Sequence, residues 1–166
     1  VQKRQHDVNR PGRPPRTPAG DAYTGFVVQV AAFGGFITAA GEALARVGGQ
    51  TLARWVILDA IEDAPATVAQ IARRRGIARQ AVQRVADLLV DDGLATYEDN
   101  PRHRRARLLR PTRRGRRVVR VIAEAQQPWA DALGAEIGEA KLRRAGALLG
   151  EIQRAVVAKG MPGRAE

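Results

Sequence analysis

The stretch Thr67–Gly93 constrains this chain more than any other. It holds two short amphipathic patterns, "TVAQIARRR" and "IARQAVQRVADLLVDD", with only Gly76 between them. Glycine readily takes the left-handed backbone that closes a helix, so Gly76 marks a helix end. Thr67 is placed to cap the first helix, with Val68, Ile71 and Ala72 facing inward. In the second, Ala81, Val82, Val85, Leu88 and Leu89 form the apolar stripe, and Gly93 stops it. Two helices of about a dozen residues joined by a tight glycine turn have the pattern of a helix-turn-helix.

After Gly93 the apolar period falls from near four to two. "LATYED" and "RARLLR" therefore read as strands, with "NPRHR" turning between them, because Asn-Pro favours a turn. A β-hairpin wing thus follows the two helices. Upstream, residues 1–20 are rich in proline and arginine, show no apolar periodicity and read as a disordered basic tail. Residues 21–50 carry a helical seam of Phe26, Val30, Phe33, Ile37, Ala40 and Leu44. Gly34 and Gly35 interrupt it, which implies a bend or the close approach of another helix. Thr51 can cap the next helix, whose apolar face is Leu52, Trp55, Leu58 and Ile61. Downstream, Thr112 caps a helix with the seam Val118, Ile122, Ala125, Trp129 and Leu133, which Pro128 should kink or break near Gln127. A last helix over 139–158 has the seam Leu142, Ala145, Leu149, Ile152 and Val156. The fold class is mostly α with a small β-hairpin wing. A winged helix-turn-helix over 51–112 lies between an N-terminal helix (21–50) and C-terminal helices (113–160), both suited to dimerisation. A small winged domain cannot bury three further apolar faces alone, and a second copy around a two-fold axis can cover them.

The net charge of +11 is local rather than uniform. Residues 73–120 hold fifteen arginines against five acids, while 21–72 hold two bases against five acids and 121–166 balance six against six. Such a concentration points to a polyanion, here double-stranded DNA. On the second helix Arg79, Gln80, Gln83, Arg84 and Asp87 share the face opposite the apolar stripe. Arginine and glutamine can make paired contacts with guanine and adenine edges in the major groove. The wing adds Arg102, Arg104, Arg105 and Arg107, with His103 near its tip, placed to reach phosphates or a narrow minor groove. The expected DNA-binding set is Thr67, Arg79, Gln80, Gln83, Arg84, Arg102, His103, Arg104 and Arg105. The "RRGRR" run at Arg113–Arg117 opens a helix, where the macrodipole disfavours cations.

On "TLARWVIL", "TVAQIARRRGIARQAVQRVADLLVDDGL" and "NPRHRRARLLRPTRRG", the chain resembles the MarR family of winged helix-turn-helix regulators from about Thr51 to Gly115. The resemblance implies a homodimer on a pseudo-palindromic operator, acting as a repressor, with a small aromatic or phenolic acid able to release it. Arg46, Arg54, Trp55 and Trp129 are the residues that could line such a ligand cavity, although core or surface roles suit each of them as well. The departures are specific. Ala78 and Ala81 replace hydroxyl residues usual at the start of the recognition helix. Asn100 and His103 replace the wing's usual acids, Arg105 matches its arginine, and Pro111 stands where leucine is typical.

The alternative function is a constitutive or architectural DNA binder without an effector. No paired carboxylates, nucleophile–histidine set or phosphate-binding glycine loop appears, so an enzyme is not expected. With no cysteine and only two distant histidines, neither a metal nor another cofactor is expected, and a thiol peroxide sensor is excluded. "FVVQVAAFGGFITAA" (residues 26–40) is interrupted by Gln29 and Thr38 and reads as too short for a membrane span of ~20 residues. The expected location is cytoplasmic, associated with the nucleoid.

Overall fold

The computed structural model describes residues 17–160 apart from Arg102 and Arg104. Six helices and one hairpin follow in the order α1 (Pro18–Val47), α2 (Leu52–Asp59), α3 (Val68–Arg75), α4 (Arg79–Asp91), β1 (Ala95–Glu98), β2 (Leu108–Pro111), α5 (Arg113–Ile137) and α6 (Glu139–Lys159). The fold is the mostly helical, winged helix-turn-helix arrangement that the apolar periods imply.

Two compact units divide at residue 43. The first is the α1 helix up to Ala43. It begins at Pro18, so the last three residues of the stretch read as tail are helical. Nothing lies within 4 Å of where a Cβ would stand on Gly34 or Gly35, so no close helix approach explains them within the described chain. Val28, Phe33 and Phe36 are 63%, 62% and 75% exposed. Contrary to the reading from 26–40 alone, the continuous 30-residue helix is long and apolar enough to cross a membrane by length and composition. The internal polar residues shorten the apolar run without ending the helix, because glutamine and threonine fit a helix interior at little cost.

The second unit holds the core. Ile57, Leu58 and Ile61 of the α2 region, Ile71 of α3, Val82, Ala86 and Leu89 of α4, Leu109 of β2 and Val119 of α5 pack into one cluster. Each such large aliphatic side chain contributes about 1.5–3 kcal/mol through burial. Leu58, Ile61, Val82 and Leu89 are buried as expected, but each stripe is shifted in part. On α4, Ala86 is buried and Leu88 is 47% exposed, so the true seam is 82–86–89. On α2, Ile57 is buried while Leu52 and Trp55 are only partly so. An eight-residue helix fits several stripes equally well, and the neighbouring elements choose among them.

The caps explain the breaks. Thr51 accepts from the Arg54 backbone N–H, and Thr112 from that of Gly115. Thr67 and Gln70 form a reciprocal capping box on α3. Gly76 is left-handed (φ 65°), which turns the chain from α3 into α4 within three residues. β1 and β2 pair antiparallel, Ala95 opposite Pro111 and Glu98 opposite Leu108, and a bridge from Ala66 to Leu109 adds a third short edge. Pro111 tolerates its strand position at the end of β2, where no further ladder donor is needed. β2 begins at Leu108, so Arg105 belongs to the turn region rather than to a strand. Pro128 does not break α5, which continues to Ile137. The residues on both sides of the proline stay helical, although its missing N–H and its ring together cost an interior helix about 3 kcal/mol.

Candidate nucleic-acid interface

The α3 helix presents its capped N-terminus and the α4 helix its polar side to one face. Thr67 is 8% exposed, and its hydroxyl and backbone N–H are both committed to Gln70. It therefore holds the start of α3 in place rather than offering a free hydroxyl. Arg79, Gln80, Gln83 and Arg84 are all exposed on α4, as their spacing requires. The N-cap of α4 is Ala78, which makes no side-chain cap bond to the N–H groups of the first turn.

A groove runs between α3, α4 and the wing, lined by Thr67, Val68, Arg79, Gln83, Tyr97, Arg105 and Arg107 among others. A second, beside it, joins Gln70, Arg73 and Arg79 to Asn100, Pro101 and His103. The structure thus brings Arg79, Gln83, His103 and Arg105 to one connected surface. Gln80 and Arg84 border a neighbouring depression along α4, which Gln83, Asp87 and Asp91 also line. Arg102 and Arg104 lie outside the described residues. The turn of the wing is held by Asn100, whose Nδ2 donates to the Ala106 carbonyl at 2.9 Å. The amide thereby supplies a donor that a carboxylate could not.

One cluster escapes the sequence reading. Gln83 Nε2 donates to Asp87 Oδ1 and to the Tyr97 hydroxyl, each at 2.8 Å, and the Tyr97 hydroxyl donates to Asp87 Oδ1 at 2.9 Å. The three polar groups close a triangle that joins α4 to strand β1. Arg107 lies over the Tyr97 ring, its Cζ 5.2 Å from the centroid, and donates to the Tyr97 carbonyl at 2.8 Å. The Tyr97 phenol is pushed up to about 12, first by burial and then by its hydrogen bond to Asp87 and that carboxylate's charge. Donation from Gln83 and the charge of Arg107 pull the other way without prevailing. The hydroxyl is therefore a proton donor throughout the neutral range. Gln83 and Asp87 one helical turn apart, and a tyrosine on the following strand, are the only traces of this cluster in the sequence.

The arginines behind the interface are structural. Arg54 pairs with Asp92 at the end of α4, and Arg75 pairs with Asp59 of α2. Arg114 donates to the Asp92 carbonyl at 3.0 Å, so the helix α5 uses one of its leading cations on the exposed end of α4. This contact offsets part of the unfavourable placement of "RRGRR". Of the four residues considered for a ligand cavity, Arg46 and Trp129 are exposed, Trp55 is half-buried and Arg54 is engaged by Asp92. None of them lines the two grooves on the α3–α4–wing face.

A MarR family model matches residues 49–106, the span from the end of α1 to the wing. Uncharacterised proteins of Mycobacterium tuberculosis and Mycobacterium bovis are each 44% identical over 104 residues, covering 63% of this chain and 73% of theirs. The chain belongs to the MarR family. Three solved structures share its fold. The transcriptional regulator BldR from Sulfolobus solfataricus superposes with a TM-score of 0.71 at 17% identity, over 85% of this chain and all of its own. Streptococcus pneumoniae FabT, solved in complex with DNA, has a TM-score of 0.64 at 15% identity, over 83% and 99%. Staphylococcus aureus MarR, solved with salicylate and kanamycin, has 0.63 at 20%, over 81% and 95%. At such identities these likenesses concern the fold alone. As a MarR family protein, the chain is a DNA-binding transcription regulator of the winged-helix type and not an enzyme.

Proposed function

We propose that this MarR family protein is a homodimeric repressor that binds a pseudo-palindromic operator. The observation that carries the reading is the shared surface of Arg79, Gln83, His103 and Arg105, a polar recognition strip beside a basic wing. In this reading α4 enters the major groove, where Arg79, Gln80, Gln83 and Arg84 face base edges. The wing, with Arg102, His103, Arg104 and Arg105, supplies charge to the backbone or the adjacent minor groove. Thr67 acts behind them by fixing the start of α3. FabT, a protein of the same fold, was solved on DNA, which supports this mode of use.

The dimer reading rests on uncovered apolar surface. Val27, Val30, Phe33 and Ile37 of α1 are exposed, as are Leu142, Leu149 and Val156 of α6. Helix α6 buries no residue at all. Apolar faces of this extent are costly in water and suit a second copy of the chain. As a regulator that binds DNA, the protein would work in the cytoplasm, at the nucleoid. We further propose that a small aromatic acid can release the DNA, since Staphylococcus aureus MarR was solved with salicylate. Arg46, Arg54, Trp55 and Trp129 remain the candidate lining of that site.

Selection from a library of random duplexes tests the reading. Bound sequences should converge on an inverted repeat with half-sites about one helical turn apart, roughly 10 base pairs between centres. Recovery of unrelated sequences would remove the operator-specific repressor and leave a non-specific DNA binder. Titrating salicylate into the resulting complex should then release the operator.

A further inference from the structure

The geometry points to Tyr97 as a specificity-determining residue that, with Asp87, holds Gln83 so that only its carbonyl oxygen faces the DNA. The proposal rests on the reading of α4 as the recognition helix. A glutamine that is free to turn reads adenine with both ends of its amide, donating to N7 and accepting from the N6 amine. Here Nε2 is directed at Asp87 Oδ1 and the Tyr97 hydroxyl, each 2.8 Å away.

The amide cannot be assigned the other way round. An ionised carboxylate only accepts, so the end of Gln83 that meets Asp87 must be the NH2 end. The Tyr97 hydroxyl donates its single proton to the same Asp87 oxygen, which leaves it to accept from Gln83. Every donor in the triangle is thus turned inward. What remains for a base is the Gln83 Oε1, an acceptor, with the Asp87 carboxylate, also acceptor-only, behind it. An acceptor selects bases that carry an exocyclic amine in the major groove, N6 of adenine and N4 of cytosine. It rejects the keto edges of guanine and thymine, where two acceptors would meet. Without a free donor for N7, adenine gains little over cytosine. Arg107, stacked on the Tyr97 ring and bonded to its carbonyl, keeps the phenol in register from the wing side.

The test compares base preferences of the full-length wild type with those of Gln83→Ala, Tyr97→Phe and Asp87→Ala, each selected against the same random duplex library. Gln83→Ala identifies the position that Gln83 reads, as the one where preference relaxes. There the wild type should favour adenine and cytosine over guanine and thymine. In Tyr97→Phe and in Asp87→Ala the amide regains a donor, so the adenine-to-cytosine ratio should rise about fivefold, the worth of one hydrogen bond. These ratios are internal to each selection and are unaffected by a general loss of affinity. A guanine or thymine preference in the wild type, or an unchanged ratio in both variants, would overturn the proposal while leaving Gln83 a base reader. If Gln83→Ala relaxes no position, the assignment of the recognition face itself fails, and this inference with it.

Discussion

At Gly115 a single methyl group would be decisive, because a Cβ there would run into the Leu94 backbone carbonyl at the start of β1. That carbonyl already accepts from the Thr112 backbone and side chain, so it has no room to withdraw. Gly115→Ala should destabilise the fold by at least about 1–3 kcal/mol, the range for overpacking a tight site. Thermal melting checks this, and an unchanged Tm would show that α5 can shift off β1. Tyr97 offers a second residue-level test. With its phenol near 12, it stays protonated where an ordinary tyrosine ionises, near ~10. Because the folded-state value is raised, the associated stabilisation is complete below pH ~10 and is lost as pH rises from there toward about 12. The phenolate absorbance that disappears in Tyr97→Phe should therefore rise around pH 12. A rise centred on 10 would mean that Asp87 and burial do not act on this hydroxyl in solution. None of this could be read from composition, since the Gln83–Asp87–Tyr97 triangle depends on how the wing folds back over α4.

For the elements, the sequence was most informative where local chemistry decides. Thr51, Thr67, Thr112 and Gly76 end or begin their helices as their side chains and backbone freedom dictate. The switch of period at Gly93 located the hairpin. Legibility was poorer where packing decides. Leu88 and Ala86 exchanged places because α4 contacts α2, α3 and β1 together, and no single periodicity encodes three neighbours. Pro128 shows the same limit, since its local penalty does not by itself distinguish a break from a helix that continues, and α5 runs on to Ile137. The capping box of α3 gives a test at this scale. Thr67→Ala should cost about 1 kcal/mol of stability and lower DNA affinity only through looser positioning of α3. A loss of affinity with no loss of stability would instead make Thr67 a direct contact.

The whole molecule depends on what covers its apolar helices. At micromolar concentration we expect sedimentation to show a dimer of the 18.0 kDa chain. Phe33→Asp should yield a folded monomer, since Phe33 is 62% exposed in the single chain and its change harms nothing there. A dimer that persists in that variant would place the partner surface elsewhere. The most direct test of the division of labour between α4 and the wing is affinity as a function of salt, on selected operator and on random duplex, for Gln80→Ala and Arg105→Ala. Gln80→Ala should lose about 1–3 kcal/mol on the operator, little on random DNA, and keep its salt slope. Arg105→Ala should weaken both DNAs alike and make the dependence of log K on log salt shallower by about one. Equal losses on both DNAs for Gln80→Ala, or an unchanged salt slope for Arg105→Ala, would contradict a recognition helix that reads bases beside a wing that supplies charge.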